Sequence, residues 1–132
     1  MHQSLIKIAL VVNDYDEAIQ FYTQKLQFDL VEDTKLSETK RWVVVKPKGE
    51  KGAALLLAKA ASEEQKRSIG NQTGGRVFLF LHTDNFDRDY KNLLHHHIKI
   101  INGPREEAYG KVLVFEDLYG NLWDLIEPPT PM

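Results

Sequence analysis

The chain has 132 residues, with 17 basic against 19 acidic side chains for a net charge of −2, and it has no cysteine. That excludes a disulfide framework, a thiolate nucleophile, Cys-ligated zinc and an iron–sulfur cluster, and it shows none of the basic excess that nucleic-acid binders carry. Apolar residues at 42% and charged residues at 27% fit a globular domain rather than a disordered chain. No apolar run approaches the roughly 20 residues that span a bilayer, and the opening Met1-His-Gln-Ser-Leu-Ile-Lys7 lacks the apolar stretch of a signal peptide. A cytoplasmic protein without nucleic-acid or membrane partners is therefore expected.

Residues 5–12, short and rich in β-branched side chains, predict a strand. Asn13-Asp-Tyr-Asp-Glu17 follows with capping-box spacing between Asp14 and Glu17. Ala18, Ile19, Tyr22 and Leu26 then recur at helical intervals and predict a helix over 14–26. Strand-like runs come next at 28–34, 40–46 and 53–59, the last two separated by the turn-forming Pro47-Lys-Gly-Glu-Lys-Gly52. Ser62-Glu-Glu-Gln65 can cap a short polar helix, and Gly70-Asn-Gln-Thr-Gly-Gly75 reads as a loop.

The order then repeats. Residues 77–83 predict a strand and Asp84–Asp89 starts a helix whose apolar face is Phe86, Tyr90, Leu93 and Leu94. Residues 98–101 form a short strand closed by Asn102-Gly-Pro104, and 111–116 and 121–126 flank Asp117-Leu-Tyr-Gly120 as a hairpin. A shift of 71 residues places Leu10 on Leu81 and Tyr15-Asp16 on Phe86-Asp87, and a shift of 68 places Leu57 on Leu125. Both halves read β-α-β-β-β: a module over 5–59, a connector over 60–75, a second module over 76–127 and a tail over 128–132, all within a single domain, 1–132.

Two segments carry a resemblance. Ile8-Ala-Leu-Val-Val-Asn-Asp-Tyr-Asp-Glu-Ala-Ile-Gln-Phe-Tyr22 resembles the opening of the vicinal oxygen chelate superfamily, and Phe115-Glu-Asp-Leu-Tyr-Gly-Asn-Leu-Trp-Asp-Leu-Ile126 resembles its closing hairpin. That superfamily includes glyoxalase I, extradiol dioxygenases, fosfomycin-resistance enzymes and bleomycin-binding proteins. The resemblance implies an α+β fold of two βαβββ modules forming an open, curled mixed sheet around a central pocket, and a homodimer.

It also implies where a metal would sit: on the first and last strands of each module, on His or Glu. Those positions here are Lys7, Leu56, Phe78 and Asp124. Only Asp124 has a donor suited to a divalent cation, because leucine and phenylalanine offer none and an ammonium has no lone pair. No cofactor is therefore expected, and a divalent metal is disfavoured. Lys7 and Asp124 would point into one pocket, either as a structural ion pair, or with Lys7 holding a substrate carboxylate or oxyanion or serving as a base.

His82 shares strand parity with Phe78 and Phe80 and suits proton transfer if it faces the pocket. An inward Arg41 would offer a planar fork to a carboxylate; an outward one is a solvated strand end. Glu116 alternates with Val112 and Val114 and can serve as a base or displaced ligand. Arg105 and Tyr109, read as a loop before the second hairpin, and Asn71 and Gln72, in the connector, can cover a ligand. His95-His-His97 reads as a solvated face, since neighbouring helical residues point about 100° apart. Phe21, Tyr22, Trp42 and Trp123 are assigned to core or interface, and Asp117 and Asn121 to closing the hairpin.

Three functions are thus open. The first is a protein that has lost the family metal site and binds a small organic ligand through Lys7, Arg41, Leu56, Phe78, Phe80, His82, Arg105, Tyr109 and Asp124. The second is a glyoxalase-like lyase or isomerase, or a dioxygenase-like ring-cleaving enzyme. Its catalytic candidates are Lys7, His82 and Glu116, working by metal-free acid–base chemistry or with a relocated metal on Asp124, Glu116 and His82. The third is an interaction subunit with a vestigial pocket.

Overall fold

A computed structural model of the chain describes residues 1–49 and 51–130; position 50, in the expected turn at 47–52, and positions 131 and 132, in the expected tail, lie outside them. The elements run β1 (Lys7–Val12), α1 (Tyr15–Gln20) with a π-helical continuation (Phe21–Lys25), β2 (Asp29–Lys35), β3 (Arg41–Lys46), β4 (Ala54–Lys59), α2 (Glu63–Ser68), β5 (Val77–His82), α3 (Phe86–His95), β6 (Ile100–Glu107), β7 (Gly110–Glu116) and β8 (Leu122–Glu127). Two four-stranded sheets result, ordered β1-β4-β3-β2 and β5-β8-β7-β6. In each, the outer pair β1/β4 or β5/β8 is parallel and the rest are antiparallel. The βαβββ plan thus occurs twice, as an α+β fold of two mixed sheets. The chain divides into two compact units between Ile69 and Gly70, inside the expected connector.

In the first unit, Asp14 caps α1 by accepting the Glu17 N–H at 2.9 Å. The expected helix over 14–26 is one piece only to Gln20; its last turn widens into π geometry, with the Leu26 N–H donating to the Phe21 carbonyl at 3.1 Å and Phe28 N–H to Tyr22 at 2.8 Å. The widening accompanies the burial of two adjacent aromatics, Phe21 and Tyr22, which meet edge-to-face at 5.2 Å, with Phe28 5.6 Å from Tyr22. Leu10, Val12, Val43, Val45, Leu55 and Leu57 form the buried, helix-bearing face of the sheet. The opposite face carries Lys7, Ala9, Trp42, Val44 and Leu56, because Ala9 pairs with Leu56 and Leu56 with Val44. At the far edge, β2 is exposed along its whole length.

In the second unit, Asn85 caps α3 through the Arg88 N–H at 3.1 Å. Phe86 and Leu93 are buried, while Leu94, expected on the same face, is exposed, one residue and about 100° round the helix from Leu93. Phe115 and Trp123 stack at 5.9 Å behind the sheet.

The largest departure is β6. The sequence predicts a strand ended by Asn102-Gly-Pro104, yet the strand continues to Glu107 and carries Arg105 within it, with Tyr109 in the two-residue turn to β7. Proline, lacking an N–H, does not stop pairing at this sheet edge. It is passed over by a register shift between Asn102 and Arg105, next to a cis Gly103–Pro104 bond. Arg105 and Tyr109 therefore belong to a hairpin, not to a loop before one.

Candidate ligand-binding face

The ladder of the second sheet aligns the candidate residues in two rows across one face. One row is Asn102, Val114, Asp124 and Phe80; the next is Arg105, Val112, Ile126 and His82. Paired residues project to the same side, so four sequence candidates, Phe80, His82, Arg105 and Asp124, share a surface about 7 Å deep along the strands. The expected repeat holds in detail: Leu10 pairs with Leu57 and Leu81 with Leu125. Leu56 is consequently beside Ala9, two residues along from Lys7, and Asp124 beside Phe80, two residues along from Phe78, which the register shift between Val77 and Leu79 leaves unpaired in the ladder.

Asp124 is the unusual member of this face. It is only 9% exposed, whereas the Phe80 ring directly across the ladder is 64% exposed. Its Oδ1 has no hydrogen-bond partner among the described residues. Burial pushes its carboxyl above the ordinary carboxylate range, against the opposing charge of Arg105. Arg105 itself is engaged elsewhere: its guanidinium donates to Tyr109, to Glu107 at 2.9 Å and to Asn102. A buried carboxylate left without a donor is a group that a ligand can satisfy.

The other candidates are placed as follows. Lys7 is exposed at the start of β1, on the face away from the helix. Neither Lys7 nor Asp124 makes an ion pair among the described residues. Phe78 is half-buried and His82 exposed. Glu116 lies at the end of β7, two residues along from Val114, with Lys99 Nζ 3.9 Å away. Asn71 and Gln72 line a separate concavity. His95 and His96 meet edge-to-face at 4.9 Å, and His97 has left the helix at φ 56°. Asp117 and Asn121 close the β7–β8 turn as expected.

Arg41 requires a correction. It pairs with Lys35 and shares strand parity with Val43, the pair partner of Asp33, which sets it on the helix-bearing face, away from Trp42 and Lys7. There its Nη2 contacts Asp33 at 2.6 Å and its Nη1 Asp16 at 2.9 Å, over the Tyr15 ring at 5.2 Å. Asp33 is held below the usual carboxylate range, chiefly by its hydrogen bond from Arg41. The guanidinium thus ties α1 to the sheet edge instead of offering a fork to a ligand. Arg41→Ala is expected to cost about 1 kcal/mol in urea unfolding at pH 7, as for a partly exposed charge network. A depressed folded-state pKa stabilises above the unfolded value, so the difference from wild type should shrink as pH falls through the carboxylate range.

Val112, Val114, Ile126 and Asn102 complete the face and were not singled out beforehand. Alternation along β7 and β8 carries the first three; Asn102 depended on the bulge.

The fit to a metal is poor. Of Lys7, Leu56, Phe78 and Asp124 only one supplies a carboxylate, and no group of three or more His, Asp or Glu side chains gathers to hold an ion among the described residues. Nor is any described helix long and apolar enough to cross a membrane.

A βαβββ plan repeated over two four-stranded mixed sheets defines a fold class of small α+β proteins. The chain belongs to the Glyoxalase/Bleomycin resistance protein/Dioxygenase superfamily, which it matches over residues 4–125. It is 62% identical over 128 residues to an uncharacterized protein of Shewanella frigidimarina (strain NCIMB 400), covering 96% of this chain and 95% of that one. Among solved structures it is similar to UcmS2, with TM-score 0.82 and 28% identity over 96% of this chain and 99% of the other. It is also similar to TnmS3, an antibiotic-binding protein from Streptomyces sp. CB03234, with TM-score 0.76 and 26% identity over 96% and 97% of the two chains.

Proposed function

We propose that this chain is a metal-independent binding protein for a small organic molecule, held on the Phe80, His82, Val114 and Asp124 face of the second sheet. The observation that carries the reading is Asp124: a carboxyl nine-tenths buried, with an oxygen that no described residue satisfies. Next to it an exposed aromatic ring offers apolar and stacking surface. Likeness to an antibiotic-binding protein at 26% identity supports binding over turnover, and the donor set at the family's metal positions supports a site without metal. The same reading takes the protein to be a cytoplasmic homodimer.

Native mass spectrometry of untagged, gently purified protein tests all of this together. The expected result is a metal-free dimer that retains an organic adduct, or that gains one from a panel including bleomycin and fosfomycin, with a Tm that rises with ligand concentration. A stoichiometric divalent metal would move the assignment to a metalloenzyme with a relocated site. Absence of any adduct, with no Tm response across the panel, would leave no basis for a binding protein.

A further inference from the structure

A second concavity lies at the N-terminal ends of β5 and β8, where residues 70–76 fold against the β7–β8 turn. It has a volume of about 100 Å³ and its lining includes Asn71, Arg76, Phe78, Asn121 and Leu122. The loop can seat this closely because residue 70 is glycine: at φ +74° a Cβ there would lie 2.0 Å from the Tyr119 carbonyl oxygen. The Thr73 hydroxyl donates to the Arg76 carbonyl at 2.6 Å and folds the loop on itself.

The turn beneath is organised by Asp117. Its carboxylate accepts the backbone N–H groups of Tyr119 and Asn121 and the Nδ2 of Asn121, each at 2.9 Å. That last bond orients the Asn121 amide, since the nitrogen must face the carboxylate. The Asn121 Oδ1 is thereby turned away from Asp117. The residue is 2% exposed, and this oxygen has no hydrogen-bond partner among the described residues, a state buried acceptors rarely keep. Above it Arg76 is exposed and makes no ion pair among the described residues, while Phe78 and Leu122 are half-buried and supply apolar walls.

We infer that this concavity is a second binding site, distinct from the Asp124 face, for an amino-acid-sized carboxylate that carries an N–H donor on an apolar body. The donor satisfies the Asn121 Oδ1, the carboxylate meets Arg76, and the apolar body packs on Phe78 and Leu122. Asn71 and Gln72, expected from sequence to cover a ligand, belong to the wall of this site.

L-leucine and 4-methylpentanoate, which is leucine without its amine, are the probes for a ¹H–¹⁵N NMR titration of the full chain. The expected result is saturable leucine shifts at the Gly70, Gly75, Arg76 and Gly120 amides and at the Asn121 side-chain amide. Affinity should fall about tenfold or more for 4-methylpentanoate and for Arg76→Gln, the loss of one charge-assisted or donor contact. Arg76 is exposed, so its replacement leaves the fold intact. No saturable shift up to the solubility of leucine would overturn the proposal and leave water as the partner of Asn121. Equal binding by the analogue or by the variant would also overturn it, as would shifts confined to Phe80, His82 and Asp124. Failure here is separable from failure of the proposed function, because Arg76→Gln leaves the Asp124 face untouched.

Discussion

Asp124→Asn is expected to make the protein more stable at pH 7 while weakening ligand binding. Burial raises the folded-state pKa of the Asp124 carboxyl above its ordinary value. A raised carboxyl pKa means that the folded state holds the proton more tightly than the unfolded state. Its contribution to stability is therefore fully present below the unfolded pKa and is lost as pH rises through the folded one. At pH 7 the wild type keeps a desolvated charge with an unsatisfied oxygen; the isosteric amide keeps the shape without the charge. The variant's Tm should exceed that of wild type by a few degrees at pH 7, and the two should converge at pH values below the ordinary carboxylate range. If the carboxylate is the ligand's anchor, affinity for the bound molecule should fall roughly tenfold to a hundredfold, the range for a hydrogen bond to a charged group. Calorimetry across pH 3 to 8, roughly the span over which carboxyl linkage acts, together with ligand titration, separates the two effects. A variant that is less stable at every pH would show that Asp124 is a structural residue, and the binding assignment would go with it.

Gly110→Ala is expected to destabilise the fold by roughly 3 kcal/mol, combining backbone strain with a steric conflict. Gly110 opens β7 at φ +136°, and a Cβ built there would lie 2.2 Å from the Glu127 carbonyl oxygen and 3.1 Å from Pro128 Cα. Neither neighbour is a flexible side-chain end; both are backbone at the close of β8. Accommodation therefore needs the Lys111–Glu127 end of the β7/β8 ladder to part. Gly49 provides the control, since it has nearly the same φ, +135°, with nothing within 4 Å of a Cβ. Gly49→Ala should cost only the conformational part, about 1 kcal/mol. Urea unfolding of the two variants checks the comparison. Equal losses would mean that the Glu127 contact contributes nothing and that β8 moves freely.

Both variants probe features that differ in how far the sequence reveals them. The doubled βαβββ plan was legible because it rests on local signals. Asp14, Ser62 and Asn85 each stand where a helix must begin and each caps it. Asp117 and Asn121 close a turn through contacts only four residues apart. The residues that the shifts of 71 and 68 superpose, Leu10 on Leu81 and Leu57 on Leu125, also take equivalent places in the two ladders, where Leu10 pairs with Leu57 and Leu81 with Leu125. Alternation with period two puts Phe80 and His82 on one face, and the β5/β8 register, which pairs Phe80 with Asp124, adds Asp124 to it.

What the sequence left open depended on residues far apart in the chain. Arg41 can sit at a strand end with its side chain on either face, and the choice fell to Asp16 on α1 and Asp33 on β2, 25 and 8 residues away. Pro104 is an ordinary terminator by local rules, but at the sheet edge its missing N–H is no obstacle, so β6 continued and brought Arg105 and Asn102 into the two rows. The alternation along the strands, the caps and the repeated order of elements were thus determined by the sequence alone, since each depends on neighbours within a few residues. Which carboxyl is buried, which guanidinium is already paired and where a loop leaves a concavity were decided only by the tertiary structure. Desolvation and pairing are sums over everything that packs around a group, and no stretch of sequence contains that sum.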